Sequence, residues 1–277
     1  MKNFALTALL GATLAYGSAL AGPTADAVRD TVLERAANAR IVIAGEVHDN
    51  PAHHAAQAAI VAHVAPRAIV FEMLTEAQAA AVTLQNRADE AALRADLNWS
   101  DSGWPDFAMY YPIFAAAPDA EIYGAAVPRD AARAAMQAGI SASFGDQAAE
   151  YGLTTPLPEQ MQAAREDLQQ VAHCNAMPSE MLPMMVDLQR LRDAVLARET
   201  LHAVEATGGP VVVITGNGHA RRDWGVPAFI ENLRPDLDIL SIGQQEDGSG
   251  APGAFDILLS APAVDRPDPC EAFLNRG

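Results

Sequence analysis

Three short segments of this 277-residue sequence carry the side chains best suited to chemistry. Gly45-Glu46-Val47-His48-Asp49-Asn50-Pro51 follows a β-branched run, with His53 and His54 in the next turn. Glu72 closes a second apolar run, and Asn217-Gly218-His219-Ala220-Arg221 follows a third. Carboxylate and imidazole together can move protons, stabilise developing charge or hold a metal. A carboxylate at the end of a buried strand is costly unless paired, so Glu46 and Glu72 read as functional rather than as solvated caps. The glycines around Asn217 let backbone approach a neighbour closely. His63 and His202 lie in ordinary helical patterns and read as surface residues. The H-E-x-x-H, P-loop and G-x-S-x-G signatures are absent.

A fourth segment is aromatic. Trp99, Trp104, Phe107, Tyr110 and Tyr111 fall within thirteen residues of a chain that is 6% aromatic. The plainer reading is a loop stapled to the core. The functional reading is a wall for a flat apolar ligand, with a phenol able to bind ferric iron. Pro112 disfavours helix at Tyr111, which makes Tyr110 the end of an ordered turn. Met181, Met184 and Met185, at helical spacing, read as core or pocket lining rather than metal ligands.

The elements that must position these groups alternate. Residues 40–45, 68–72, 121–125, 210–216, 238–242 and 255–260 read as strands. Asn50 as N-cap and Pro51 at the first position open a helix to Val64. Helical patterns follow over 76–97, 129–138, 159–174 and 179–205, and residues 243–253 read as an exposed loop. This alternation predicts an α/β fold, a mainly parallel sheet flanked by helices, with a helical insertion over about 129–206. Ligands of such sheets bind outside the carboxyl ends of the strands. Glu46, His48, Glu72 and His219 are therefore expected to converge if their strands are neighbours.

Lys2, the apolar run Phe4–Tyr16 and Ala19-Leu20-Ala21 read as a secretory signal over residues 1–21, leaving residues 22–277 as the domain. A periplasmic or secreted location is expected, and the region after the cleavage site lacks a lipoprotein cysteine. A net charge of −17 argues against nucleic acid as a partner. Cys174 and Cys270, two cysteines in an oxidising compartment, can pair.

The order of these motifs resembles the ChaN-like family of haem-binding uptake proteins, within a wider group containing Tiki, TraB and erythromycin esterase-like proteins. The match runs through the Gly45–His54 motif and Phe71-Glu72-Met73. It continues through Trp104 with Tyr110 and Pro112, then Gln189 with Arg192-Asp193. Gly216-Asn217-Gly218-His219-Ala220-Arg221 with Gly225-Val226-Pro227 closes it, so that roughly residues 38–245 are covered. The resemblance implies a role in iron acquisition, with haem as cofactor. Tyr110 is the expected iron ligand, and Glu46, His48, His54, Glu72, Asn217, His219 and Arg221 the expected surroundings. It also implies a homodimer sharing the haem and an outer-membrane haem-uptake system as partner. Two positions depart from the family: the lipoprotein cysteine is missing, and Ala125-Ala126 stands where an Asn is common. Relatives that hydrolyse with Glu and His supply an alternative, a metal-dependent hydrolase using Glu46, His48, Glu72 and His219 with a divalent ion. A third possibility is a non-enzymatic protein that binds a partner.

Overall fold

The computed structural model describes residues 25–268, 270 and 271; the expected signal segment 1–21 lies outside them. Six strands form one parallel sheet: β1 (Ile41–Ala44), β2 (Ala68–Phe71), β3 (Glu121–Gly124), β4 (Val211–Ile214), β5 (Ile239–Glu246) and β6 (Ile257–Ala261). Their spatial order is β3-β2-β4-β1-β5-β6.

β1, β2 and β4 are buried at every residue, and β5 over its first six, because helices cover both faces. Alternation along each strand divides the core in two. Ile41, Ile43, Val70, Val211 and Val213 pack towards the helices of residues 129–233. Val42, Ala44, Ile69, Phe71, Val212 and Ile214 pack towards the helices Pro51–Val64 and Phe107–Ala116. Residues 129–207 carry helices and no strand. The longest of these, Leu182–Thr207, buries thirteen residues.

Three local expectations are corrected. The pattern over 76–97 does not form one helix: it breaks into Glu76–Ala80, Leu84–Arg87 and Glu90–Asp96. Thr75, Thr83 and Asp89 each cap the piece that follows by accepting from its N–H groups. Short polar side chains compete with helix continuation in this way. Tyr110 does not end a turn, since the helix Phe107–Ala116 runs straight through Pro112. Third, β5 extends to Glu246, so Gly243 and Gln244 lie buried in the sheet rather than in an exposed loop. Gln244 is held there by bonds to the Gly45 and His53 carbonyls at 2.7 and 3.1 Å.

Candidate functional site

β4 lies between β1 and β2, in register with both. The residues following these three strands are therefore neighbours at the carboxyl edge. The chain also leaves β1 across this point towards β2, while β5 pairs on the other side of β1. Such a switch point opens a crevice. The crevice is a cleft of about 690 Å³, with His48, Glu72 and His219 in its lining.

Two carboxylate–imidazole systems form its floor. In the first, the Glu46 side chain is completely buried and its Oε1 lies 2.7 Å from His48 Nδ1. The Tyr110 hydroxyl donates to the same oxygen at 2.9 Å. His54 Nε2 meets the His48 carbonyl at 2.9 Å, and its Nδ1 lies 3.4 Å from Glu46 Oε2. His48 itself is 38% exposed, its ring edge-on to Trp104 at 4.9 Å. Burial lowers its proton affinity, but the Glu46 bond and the charges of Glu72 and Glu46 outweigh this and raise its pKa.

In the second, His219 Nδ1 lies 2.6 Å from Asp193 Oδ1, and Nε2 lies 3.5 Å from Glu72 Oε1. The other Glu72 oxygen accepts from Thr215 Oγ1 and the Gly216 N–H, both at 2.7 Å. Burial disfavours charge on His219, yet Glu72 and Asp193 push its pKa up to about 9. Burial likewise opposes charge on Glu72, but His219, His48 and the two donors hold it below the usual carboxylate range. Burial pushes the Asp193 carboxyl up, against the pull of His219.

Gly216 makes the two systems compact. A Cβ there would stand 2.9 Å from His48 Nε2 and 3.7 Å from Glu72 Oε2. The glycine of this turn that permits close approach is thus Gly216, whereas Gly218 faces open space.

The structure brings Glu46, His48, Glu72 and His219 to one edge of the sheet, but only the last three line the cleft. Glu46, His54 and Tyr110 lie beneath it. Tyr110 is 0% exposed, and its ring packs against His54 at 4.2 Å and Trp99 at 4.9 Å. Burial and Glu46 raise the pKa of its phenol. Tyr110, the expected iron ligand, has its hydroxyl on Glu46 and lies outside the cleft lining. Tyr111 does not replace it, since its hydroxyl turns to the Arg87 carbonyl at 3.3 Å.

Asn217 and Arg221 also fall outside the cleft lining. Asn217 ties the β4 turn to β5 by two bonds to the Gln244 backbone, at 2.6 and 2.9 Å. Arg221 is held by Asp223 and lies 3.5 Å from the Trp224 ring centroid.

Gln189 and Arg192 in the cleft lining, and Asp193 behind His219, carried no assigned role in the sequence. They sit at helical spacing of three and four, hence on one face. That spacing and the family resemblance through Gln189 with Arg192-Asp193 were the available signals. Arg129 and Arg192 line the cleft, with Trp104, Met73 and Leu196 supplying apolar surface. Among the described residues, no group of three or more His, Cys, Asp or Glu side chains could hold a metal ion. The carboxylates are engaged by imidazoles, hydroxyls and an amide.

Fold and site together define an α/β protein with a cleft at a switch point. The sequence matches the model of the family described as haem-binding uptake, Tiki superfamily, ChaN, over residues 32–230. The chain belongs to that family. No curated protein matches it. Two solved structures resemble it. One is that described as cofacial heme binding to ChaN of Campylobacter jejuni, at 18% identity and a TM-score of 0.64, covering 82% of this chain and 89% of that one. The other is the type III effector HopBA1, at 14% identity and a TM-score of 0.48, with 85% and 94% covered. The first likeness concerns the fold.

Proposed function

We propose that this chain is an exported haem-binding protein serving iron or haem acquisition, and that haem occupies the switch-point cleft. The observation that carries the reading is the lining: one half-exposed imidazole, an apolar wall and two guanidiniums in a chain of net charge −17. Its volume falls within the range of small-molecule sites. His48 is the candidate to face the iron, because Glu46 engages Nδ1 and leaves Nε2 for a metal. A carboxylate behind a ligating imidazole fixes its orientation and raises its basicity. Trp104, Met73 and Leu196 would lie against the macrocycle, and Arg129 and Arg192 would receive the propionates. Bound haem would supply a Lewis-acidic ferric centre. Export is supported by the composition of residues 1–21 and by the Cys174–Cys270 disulfide. A homodimer and an outer-membrane uptake partner are proposed on family membership.

The test is a hemin titration of residues 22–277, followed by the Soret band. Wild type should bind, His48→Ala should shift the band or weaken binding at least tenfold, and Tyr110→Phe should keep the wild-type spectrum. An unperturbed hemin spectrum with wild type overturns the reading. A spectrum lost only in Tyr110→Phe returns the ligand role to the phenol.

The Asp193–His219–Glu72 chain supports a second reading, hydrolysis without a divalent ion. His219, charged at neutral pH, would stabilise developing negative charge, and Glu72 would position water. Turnover of a model ester that Glu72→Gln abolishes, with hemin binding retained, would favour it.

A further inference from the structure

A second cavity, of about 420 Å³, opens between the helices Glu159–Ala172 and Val226–Leu233. Leu157, Met161, Trp224 and Phe229 give it an apolar wall, and Arg165, Arg190, Asp223 and Glu150 its charges. Two of those charges are already matched. Arg190 is engaged by Asp187 at 3.1 Å and by the Gly152 and Thr155 carbonyls at 2.9 Å. Asp223 receives two bonds from Arg221, at 2.6 and 2.5 Å.

Arg165 is different. Its one hydrogen bond among the described residues runs from Nη2 to the Met161 sulfur at 3.4 Å. Its Nε is sealed from solvent with no acceptor. The guanidinium sits 5.0 Å from the Trp224 ring centroid. A cation–π contact contributes modestly, but it does not replace the oxygen acceptors that a partly buried guanidinium loses on leaving water. The helix that carries it has no fully buried residue, so core packing does not force Arg165 into this position. An acceptor arriving with a ligand would complete the arrangement.

We propose that this cavity is a binding site for a small apolar monocarboxylate, its acid group on Arg165 and its body on Trp224. The planar guanidinium suits a carboxylate's paired oxygens. Trp224 and Phe229 suit a flat or aliphatic body. Glu150 and Asp223 on the wall disfavour a second negative charge, which selects a monoanion over a dicarboxylate or a phosphate dianion. Arg165 also lines a small void of about 40 Å³ that reaches Asp193 behind His219. The site is therefore adjacent to the first cleft but separate from it, and its occupancy does not depend on the haem reading.

The test uses 2-naphthoate and 2-naphthamide as probes, titrated into the disulfide-intact protein by calorimetry and by tryptophan fluorescence. Naphthoate should bind, the amide at least tenfold more weakly. Arg165→Gln should lose naphthoate binding at least tenfold and leave the hemin titration unchanged. Arg165→Lys should retain part of the affinity, and Trp224→Phe should remove the fluorescence response. Absence of naphthoate binding, equal binding of acid and amide, or undiminished binding by Arg165→Gln overturns the proposal. A failed hemin titration alone overturns only the function proposed above.

Discussion

Asp193 Oδ1 and His219 Nδ1 lie 2.6 Å apart in a pair that is almost fully buried, with Glu72 on the far side of the imidazole. One positive ring is thus held between two carboxylates. With an ordinary value of 6.5 and a folded value of about 9, His219 favours the folded state most at low pH. That contribution is complete below about 6.5 and is lost as pH rises through 9. Thermal stability should therefore fall between pH 6.5 and 9.5. Asp193→Asn should flatten the fall and bring the His219 titration, followed by imidazole NMR, down towards 6.5. An unchanged His219 titration would refute the coupling.

Glu46 Oε1 accepts from both His48 and Tyr110 with no water access. Tyr110→Phe removes one of its two donors without changing the shape of the aromatic cluster. The expected cost is about 1–3 kcal/mol, read by urea denaturation. Tyr111→Phe, whose long 3.3 Å bond goes to a backbone carbonyl, should cost less.

Two glycines should respond differently to one added methyl. At Gly216 the new Cβ meets the His48 ring at 2.9 Å, and that ring is partly exposed and can move. Gly216→Ala should fold, displace His48 and weaken hemin binding. At Gly124 the Cβ would clash with the Thr75 carbonyl oxygen, which is backbone and cannot give way. Gly124→Ala should destabilise by about 1–3 kcal/mol or more or fail to accumulate as soluble protein. Equal melting temperatures for the two variants would contradict this distinction.

The Cys174–Cys270 disulfide joins residues 96 apart, with Cα atoms at 5.4 Å. The same C-terminal segment is fastened by Arg266, which pairs with Asp49 and Glu246 beside the His48 loop. Closing a loop of this length is worth about 4–5 kcal/mol in the chain-entropy model. Cys270→Ser or reduction should lower the denaturation midpoint, and Arg266→Ala in the reduced protein should add to the loss. Reduction without effect on the midpoint would show that the segment is held by its ion pairs alone.

The sequence by itself determined the strands, because buried runs such as Val211–Ile214 have a composition that no exposed segment would carry. It also determined the chemistry-bearing residues that follow them, since polar groups at the ends of apolar strands are expensive without a purpose. The helix at Pro51 was legible from its cap. What only the tertiary structure decided was adjacency and direction. That β4 lies between β1 and β2 follows from long-range pairing, and it alone places Glu46, Glu72 and His219 at one edge. The aromatic segment promised a phenol to a ligand, yet a helix continuing through Pro112 turns Tyr110 inward to Glu46 and leaves Trp104 and His48 facing the cleft. Asp193 was visible in the sequence only as part of the Gln189 and Arg192-Asp193 resemblance, with no role attached to it. Its role depends on which face of a 26-residue helix meets the sheet, and packing of the whole core settles that face.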